Sequence, residues 1–178
     1  MINSVPDKKL YFAKVRENAR IPVRKGSGNA GYDIYPCFDE DYITINPHSI
    51  KNIPTGIACA MNENYYMQIE ERSSTGIMGM KKNAGVIDSS YRGEVTISIY
   101  NASNKTVFIA KDELEMLNQL RNWNTDDYTV YSYNNAIAQG IIHRVPEMDV
   151  EEIPYSELER IPSTRGKNWL GSTNLKVH

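Results

Sequence analysis

The chain has 178 residues, 40% of them hydrophobic and 24% charged, enough apolar side chain to bury the core of one domain. A net charge of −2 excludes a broad basic surface for nucleic acid, so an anionic ligand must be held by a local cluster. Cys37 and Cys59 form no CxxC pair and no zinc spacing, and they read as buried thiols of a reducing compartment. The first residues carry no cationic start followed by an apolar run, and no stretch approaches the ~18 apolar residues of a membrane span. A soluble, intracellular protein with no membrane or nucleic-acid partner is expected.

In chain order, residues 10–15 are a short apolar run of strand type. Residues 42–45 and 56–61 follow, separated by the turn residues Asn46, Pro47 and Pro54, and then residues 65–71. The clearest signal lies at 93–101, where Val95, Ile97 and Ile99 alternate with Thr96, Ser98 and Tyr100. That period of two describes a strand with one face in the core. Residues 105–110 read as its hairpin partner, closed around 102–104, and 136–145 as a last strand. Many short strands at this spacing point to an antiparallel sandwich or barrel.

Two stretches depart from this pattern. Residues 111–121 carry Leu114, Leu117 and Leu120 at helical spacing, with acids early and Arg121 late. A polar, tyrosine-bearing stretch continues to about 135, so 111–135 reads as an insertion between two strands. Beyond it, Pro146, Pro154 and Pro162 prevent sustained helix or ladder pairing. The expected organisation is a β domain at 1–145 and an extended C-terminal arm at 146–178.

Five segments carry chemistry. Ala30-Gly31-Tyr32-Asp33-Ile34 places a carboxylate in a strand-like run after a permissive glycine, which also describes a turn with a solvated acid. Glu71-Arg72-Ser73-Ser74-Thr75-Gly76 packs a guanidinium, hydroxyls and a glycine into six residues, the makings of a phosphate cradle or of an ordinary helix cap. Gly85-Val86-Ile87-Asp88-Ser89-Ser90-Tyr91-Arg92-Gly93 reads as a hairpin with a pocket inside it. There Asp88 can polarise a water and Tyr91 can lie against a sugar, although an aspartate in a β-turn is commonly structural. Gln139, inside the apolar run 137–142, needs a partner: a phosphate oxygen or a backbone carbonyl. In the stretch 165–173, Arg165, Ser172 and Thr173 can clamp phosphate, Gly171 permits close wrapping, and Trp169 or Leu170 can cover a flat base. No GxxxxGK[ST] phosphate loop exists anywhere in the chain.

In this order and spacing the five segments resemble those of the trimeric dUTPase family. AGYDI, Arg72-Ser73-Ser74, GVIDSSYRG, Ala138-Gln139 and RGKNWLGSTN match its five motifs, and IPTGIA at 53–58 matches a connecting stretch. The resemblance implies a jelly-roll-like β-barrel and the hydrolysis of dUTP to dUMP and pyrophosphate, keeping dUTP low and supplying dUMP for thymidylate synthesis in the cytoplasm. By the same resemblance Asp88 is the general base, and Tyr91 packs beneath deoxyribose and refuses a 2′-hydroxyl. The backbone around Asn83, Gly85 and Ile87 reads uracil. Arg72, Ser73, Ser74 and Gln139 hold the triphosphate. Asp33 organises Mg²⁺ through water, the ion sitting mainly on the phosphates. The arm, with Arg165, Trp169, Leu170, Gly171, Ser172 and Thr173, closes a site shared between the subunits of a homotrimer.

Departures from the motifs fall mostly in the arm, where Leu170 stands at a base-stacking Phe position with Trp169 beside it, and Asn168 and Asn174 replace glycines. Ser90 replaces the second acid of the hairpin motif, and Glu71 precedes Arg72 where Pro is common. The 111–135 insertion is extra and is a candidate contact surface for another protein, so a dUTPase that is also a regulatory binding module is the main alternative. The related dCTP deaminase activity needs a Glu at the position of Ser98, and a hydroxyl cannot shuttle its proton.

Overall fold

The computed structural model describes residues 4–167, and among these twelve strands fall into four sheets. β1 (Leu10–Lys14) pairs antiparallel with β5 (Ile57–Met61). A four-stranded sheet has the order β2 (Gly31–Ile34), β12 (Ala138–Arg144), β6 (Tyr65–Glu70), β8 (Val86–Ile87). β4 (Ile50–Pro54), β9 (Thr96–Asn101) and β7 (Met80–Lys82) form a third sheet, and β11 (Tyr128–Ser132), β10 (Thr106–Ala110) and β3 (Tyr42–Ile45) a fourth. The fold is all-β, with three short helices: α1 (Ser73–Ile77), α2 (Glu113–Gln119) and α3 (Tyr155–Leu158).

The alternation in 93–101 is realised as read. Val95, Ile97 and Ile99 are buried, while Thr96, Ser98 and Tyr100 are not. They join Ile34, Phe38, Ile45, Ile53, Ile57, Met67, Ile69 and Ile109 in one core. Both cysteines are free and buried, and burial pushes each thiol up from its ordinary value. The turn between β4 and β5 needs Gly56, whose φ is +67° and whose missing Cβ would fall 2.7 Å from Ala19 and 2.8 Å from Cys37 Sγ.

The expected hairpin of 93–101 with 105–110 does not form. β9 pairs with β4 and β7, whereas β10 pairs with β3 and β11, so the chain changes sheets at Asn101. Asn101 is fully buried, and its Nδ2 is shared among the carbonyls of Ile45 (3.0 Å), Asn46 (3.2 Å) and Lys105 (2.8 Å). Its Oδ1 accepts from Ser103 N and Ser103 Oγ. These bonds tie the turn to the end of β3, and a two-stranded hairpin would leave the buried amide without them.

Residues 111–135 are also more ordered than an irregular insertion. Phe108 and Ala110 project from the face of β10 opposite the main core, and Met116 and Leu120 of the α2 segment cover them in a second small cluster. The buried stripe is therefore Met116 and Leu120, while Leu114 and Leu117 of the expected leucine face are exposed. Asp112 caps α2, its carboxylate accepting from Glu115 N at 3.0 Å. The chain then returns as β11, parallel to β10, and a parallel pair requires such a crossover.

Residues up to Pro146 form one compact unit and those from Glu147 a second. In the second, α3 is only four residues long and follows Pro154. Further on, Ser163 Oγ accepts from Arg165 N (3.3 Å) and Gly166 N (2.9 Å).

Candidate active site

The four-stranded sheet brings three of the five segments to one place. Register pairs Gln139 of β12 with Asp33 of β2 on one side and Glu70 of β6 on the other, and α1 starts directly after β6 with Ser73. The result is a cleft of about 510 Å³ lined by Lys25, Asn29, Ala30, Gly31, Asp33, Arg72, Ser73, Ser74 and Gln139. Two cations against one carboxylate make it locally positive on a chain of net charge −2.

Each group in the cleft has a specific anchor. Arg72 Nε donates to Asp33 Oδ1 at 3.0 Å and its Nη1 to Ala136 O at 3.2 Å. Arg72 N donates to Thr75 Oγ1 at 3.1 Å, and the fully buried Thr75 hydroxyl donates back to Arg72 O at 3.0 Å, which fixes the start of α1. Ser73 and Ser74 are the first residues of that helix and are exposed to the cleft, their N–H groups among those a first turn leaves unused. Gln139 Nε2 donates to Glu71 O at 2.9 Å, the carbonyl partner of the two open options, and this holds the amide beside Arg72. Gly31 makes room for it, because a Cβ there would come within 2.9 Å of Gln139 Cβ.

Asp33 is 9% exposed. Its Oδ2 lies 3.2 Å from Lys25 Nζ yet accepts no hydrogen bond, the only buried side-chain oxygen or nitrogen among the described residues without one. Lys25 and Asn29 escaped the sequence reading; the basic pair Arg24-Lys25 ahead of the glycine-rich turn 26–28 was the available signal.

The hairpin segment forms a separate cleft of about 230 Å³, lined by Val86, Ile87, Asp88, Tyr91, Glu94 and Thr96. Asp88 opens a turn closed by Tyr91 N donating to Asp88 O at 3.1 Å, and its side chain is exposed. The Tyr91 hydroxyl donates to Glu94 O at 3.1 Å, and its ring lies over Gly93, where a Cβ would sit 2.6 Å from Tyr91 Cζ. The ring is thereby held as a fixed wall beside Asp88. Several of the backbone groups around Asn83, Gly85 and Ile87 are engaged within the chain, Ile87 pairing with Met67 in the sheet. Asn83 N donates to Ser98 O at 2.9 Å, and Gly85 O accepts from Ile69 N at 2.7 Å.

The two clefts stand apart on one chain. β2, which carries Asp33, and β8, which leads into Asp88, are opposite edges of the four-stranded sheet. Three strand spacings separate them, about 14 Å. Arg165 belongs to the second compact unit, while Trp169, Leu170, Gly171, Ser172 and Thr173 lie outside the described residues.

The family described as dUTPase matches residues 17–114. A deoxyuridine 5'-triphosphate nucleotidohydrolase of Hydrogenobaculum sp. is 32% identical over 171 residues, covering 94% of this chain and 99% of its own. Among solved structures, a dUTPase variant of Staphylococcus bacteriophage 80alpha with dUpNHpp superposes at a TM-score of 0.70 and 20% identity, over 93% of this chain and 98% of that one. A dUTPase variant from phage phi11 of S. aureus, which coordinates a structural Mg(II) ion, superposes at 0.63 and 20% identity, over 82% and 96%. With a matching family profile, a full-length relative of this identity and the same all-β fold, the chain belongs to the dUTPase family.

Proposed function

We infer that the protein hydrolyses dUTP to dUMP and pyrophosphate, and that Asp88 removes a proton from the attacking water. In that step the water oxygen bonds to the α-phosphorus, the bond from that phosphorus to the α,β-bridging oxygen breaks, and pyrophosphate leaves. Arg72, Ser73, Ser74 and Gln139 bind the phosphates, joined by Lys25. Tyr91 is the platform beneath the sugar, leaving no space for a 2′-hydroxyl. Uracil is read by the backbone around Asn83, Gly85 and Ile87, using the groups not already engaged in the chain. The arm residues Arg165, Trp169, Leu170, Gly171, Ser172 and Thr173 close over the nucleotide and exclude water.

The observation that carries this reading is the pairing of a cationic cleft with a distinct turn bearing an exposed carboxylate beside a pinned aromatic ring. The two lie on opposite edges of one sheet, about 14 Å apart on one chain, which favours assembling them from different subunits. A complete site takes the Asp88 turn of one subunit and the phosphate cleft of another, as a closed homotrimer provides.

The residues fit Mg²⁺ bound chiefly by substrate. No group of three or more His, Cys, Asp or Glu side chains assembles among the described residues, so no all-protein cage is offered. The Oδ2 of Asp33 in the phosphate cleft, which has an ion pair with Lys25 but no hydrogen bond, is suited to accept from a metal-bound water. The ion, when bound, neutralises phosphate charge; positioning and proton removal fall to the protein.

Pyrophosphate release from dUTP, dCTP, dTTP and UTP, with and without Mg²⁺, tests the assignment. Release from dUTP alone, dependent on Mg²⁺, is expected. In the same assay Asp88→Asn should still bind dUTP but turn over about 10²–10⁴-fold more slowly. Near wild-type turnover would remove Asp88 from the mechanism.

A further inference from the structure

Tyr131 lies on β11, within the stretch that reads from sequence as an insertion, yet its hydroxyl reaches a carbonyl that Arg72 of the phosphate cleft also uses. It is only 6% exposed. Its hydroxyl donates to Ala136 O at 2.7 Å, the same carbonyl that accepts from Arg72 Nη1 at 3.2 Å. The Arg72 guanidinium and the Ser74 side chain also lie near enough to the phenol to favour its charged form. A phenol has one proton and two lone pairs. With the proton given to Ala136, the Tyr131 hydroxyl and the Arg72 guanidinium are tied to one carbonyl oxygen.

We propose that Tyr131 is a positioning residue that, through the Ala136 carbonyl, holds Arg72 ready for the triphosphate, making the strand returned by the insertion part of the phosphate site. The proposal rests on Arg72 being a phosphate ligand. Arginine is a long side chain that loses rotamer freedom when it clamps an anion. Here it is fixed beforehand at two points, the Asp33 carboxylate and the Ala136 carbonyl, and the Tyr131 hydroxyl holds the second of these in place. Burial pushes the Tyr131 phenol above its ordinary value, which keeps it a neutral donor to Ala136. Register sets Tyr131 opposite Ile109, and both side chains enter the main core, so the pairing of β11 with β10 decides where this hydroxyl lies.

The test is Tyr131→Phe, which removes the hydroxyl and keeps the ring, read by kcat and KM for dUTP and by competition with dUpNHpp and with deoxyuridine. A loss of about tenfold in kcat/KM and in dUpNHpp affinity is expected, with deoxyuridine binding unchanged, since only the phosphate side is affected. A Tyr131→Phe, Arg72→Lys double variant should lose less than the sum of the two single effects. Values for dUTP within twofold of wild type would overturn the proposal. Equal losses for dUpNHpp and deoxyuridine, or a variant that fails to fold, would also overturn it by making the hydroxyl a scaffold group. Arg72→Ala on its own separates the two readings: full dUTP affinity there would remove Arg72 from the site rather than Tyr131 from its support.

Discussion

At the scale of single residues, the site depends on what a side chain is prevented from doing. Gly31 leaves the space that Gln139 fills, and Gln139 is then fixed by the Glu71 carbonyl. Gly31→Ala should force the amide out of the cleft and raise KM for dUTP about tenfold, measured against an unchanged melting temperature within about 3 °C. An unaltered KM would show that Gln139 plays no part in phosphate binding. The types and order of Asp33, Arg72, Ser73, Ser74, Asp88, Tyr91 and Gln139 were readable because the motifs are short and local. Their anchors were not. The bond from Arg72 to Ala136 spans 64 residues, and that from Gln139 to Glu71 spans 68. Lys25 was passed over because a lysine before a glycine turn has no meaning until Asp33 is placed 3.2 Å from it.

Elements were legible where one face alone decides burial. β9 has a clean alternation and one buried face. β10 is covered on both faces, so its sequence, TVFIA, gives no period and its partner cannot be read from it. The sheet change at Asn101 was hidden for a related reason: an asparagine at a strand end reads as a turn, and its three carbonyl partners come from β3, the residue after it and the following loop. Likewise the leucines of α2 suggested a stripe, but the face that β10 needs covered selects Met116 and Leu120. Met116→Ala should therefore cost about 2–4 kcal/mol, seen as a lower urea midpoint, whereas Leu114→Ala should cost under about 0.5 kcal/mol. Equal effects of the two would show that α2 does not pack in the described orientation.

For the molecule as a whole, the account places phosphate binding and water activation on opposite edges of one sheet, and so assigns every working site to more than one subunit. Association would then be a condition of activity rather than only of stability. The most direct measurement mixes two inactive proteins. Asp88→Asn keeps an intact phosphate cleft, and Arg72→Ala keeps an intact Asp88 turn. Unfolded together and refolded as random mixed trimers, they should regain dUTP hydrolysis up to about a quarter of the wild-type rate, since a quarter of the sites then pair a working half from each. Refolded separately, each should stay inactive. A mixture no more active than its components, with mixed trimers verified by mass, would contradict the shared site and require Asp88 and Arg72 of one chain to meet on the same nucleotide.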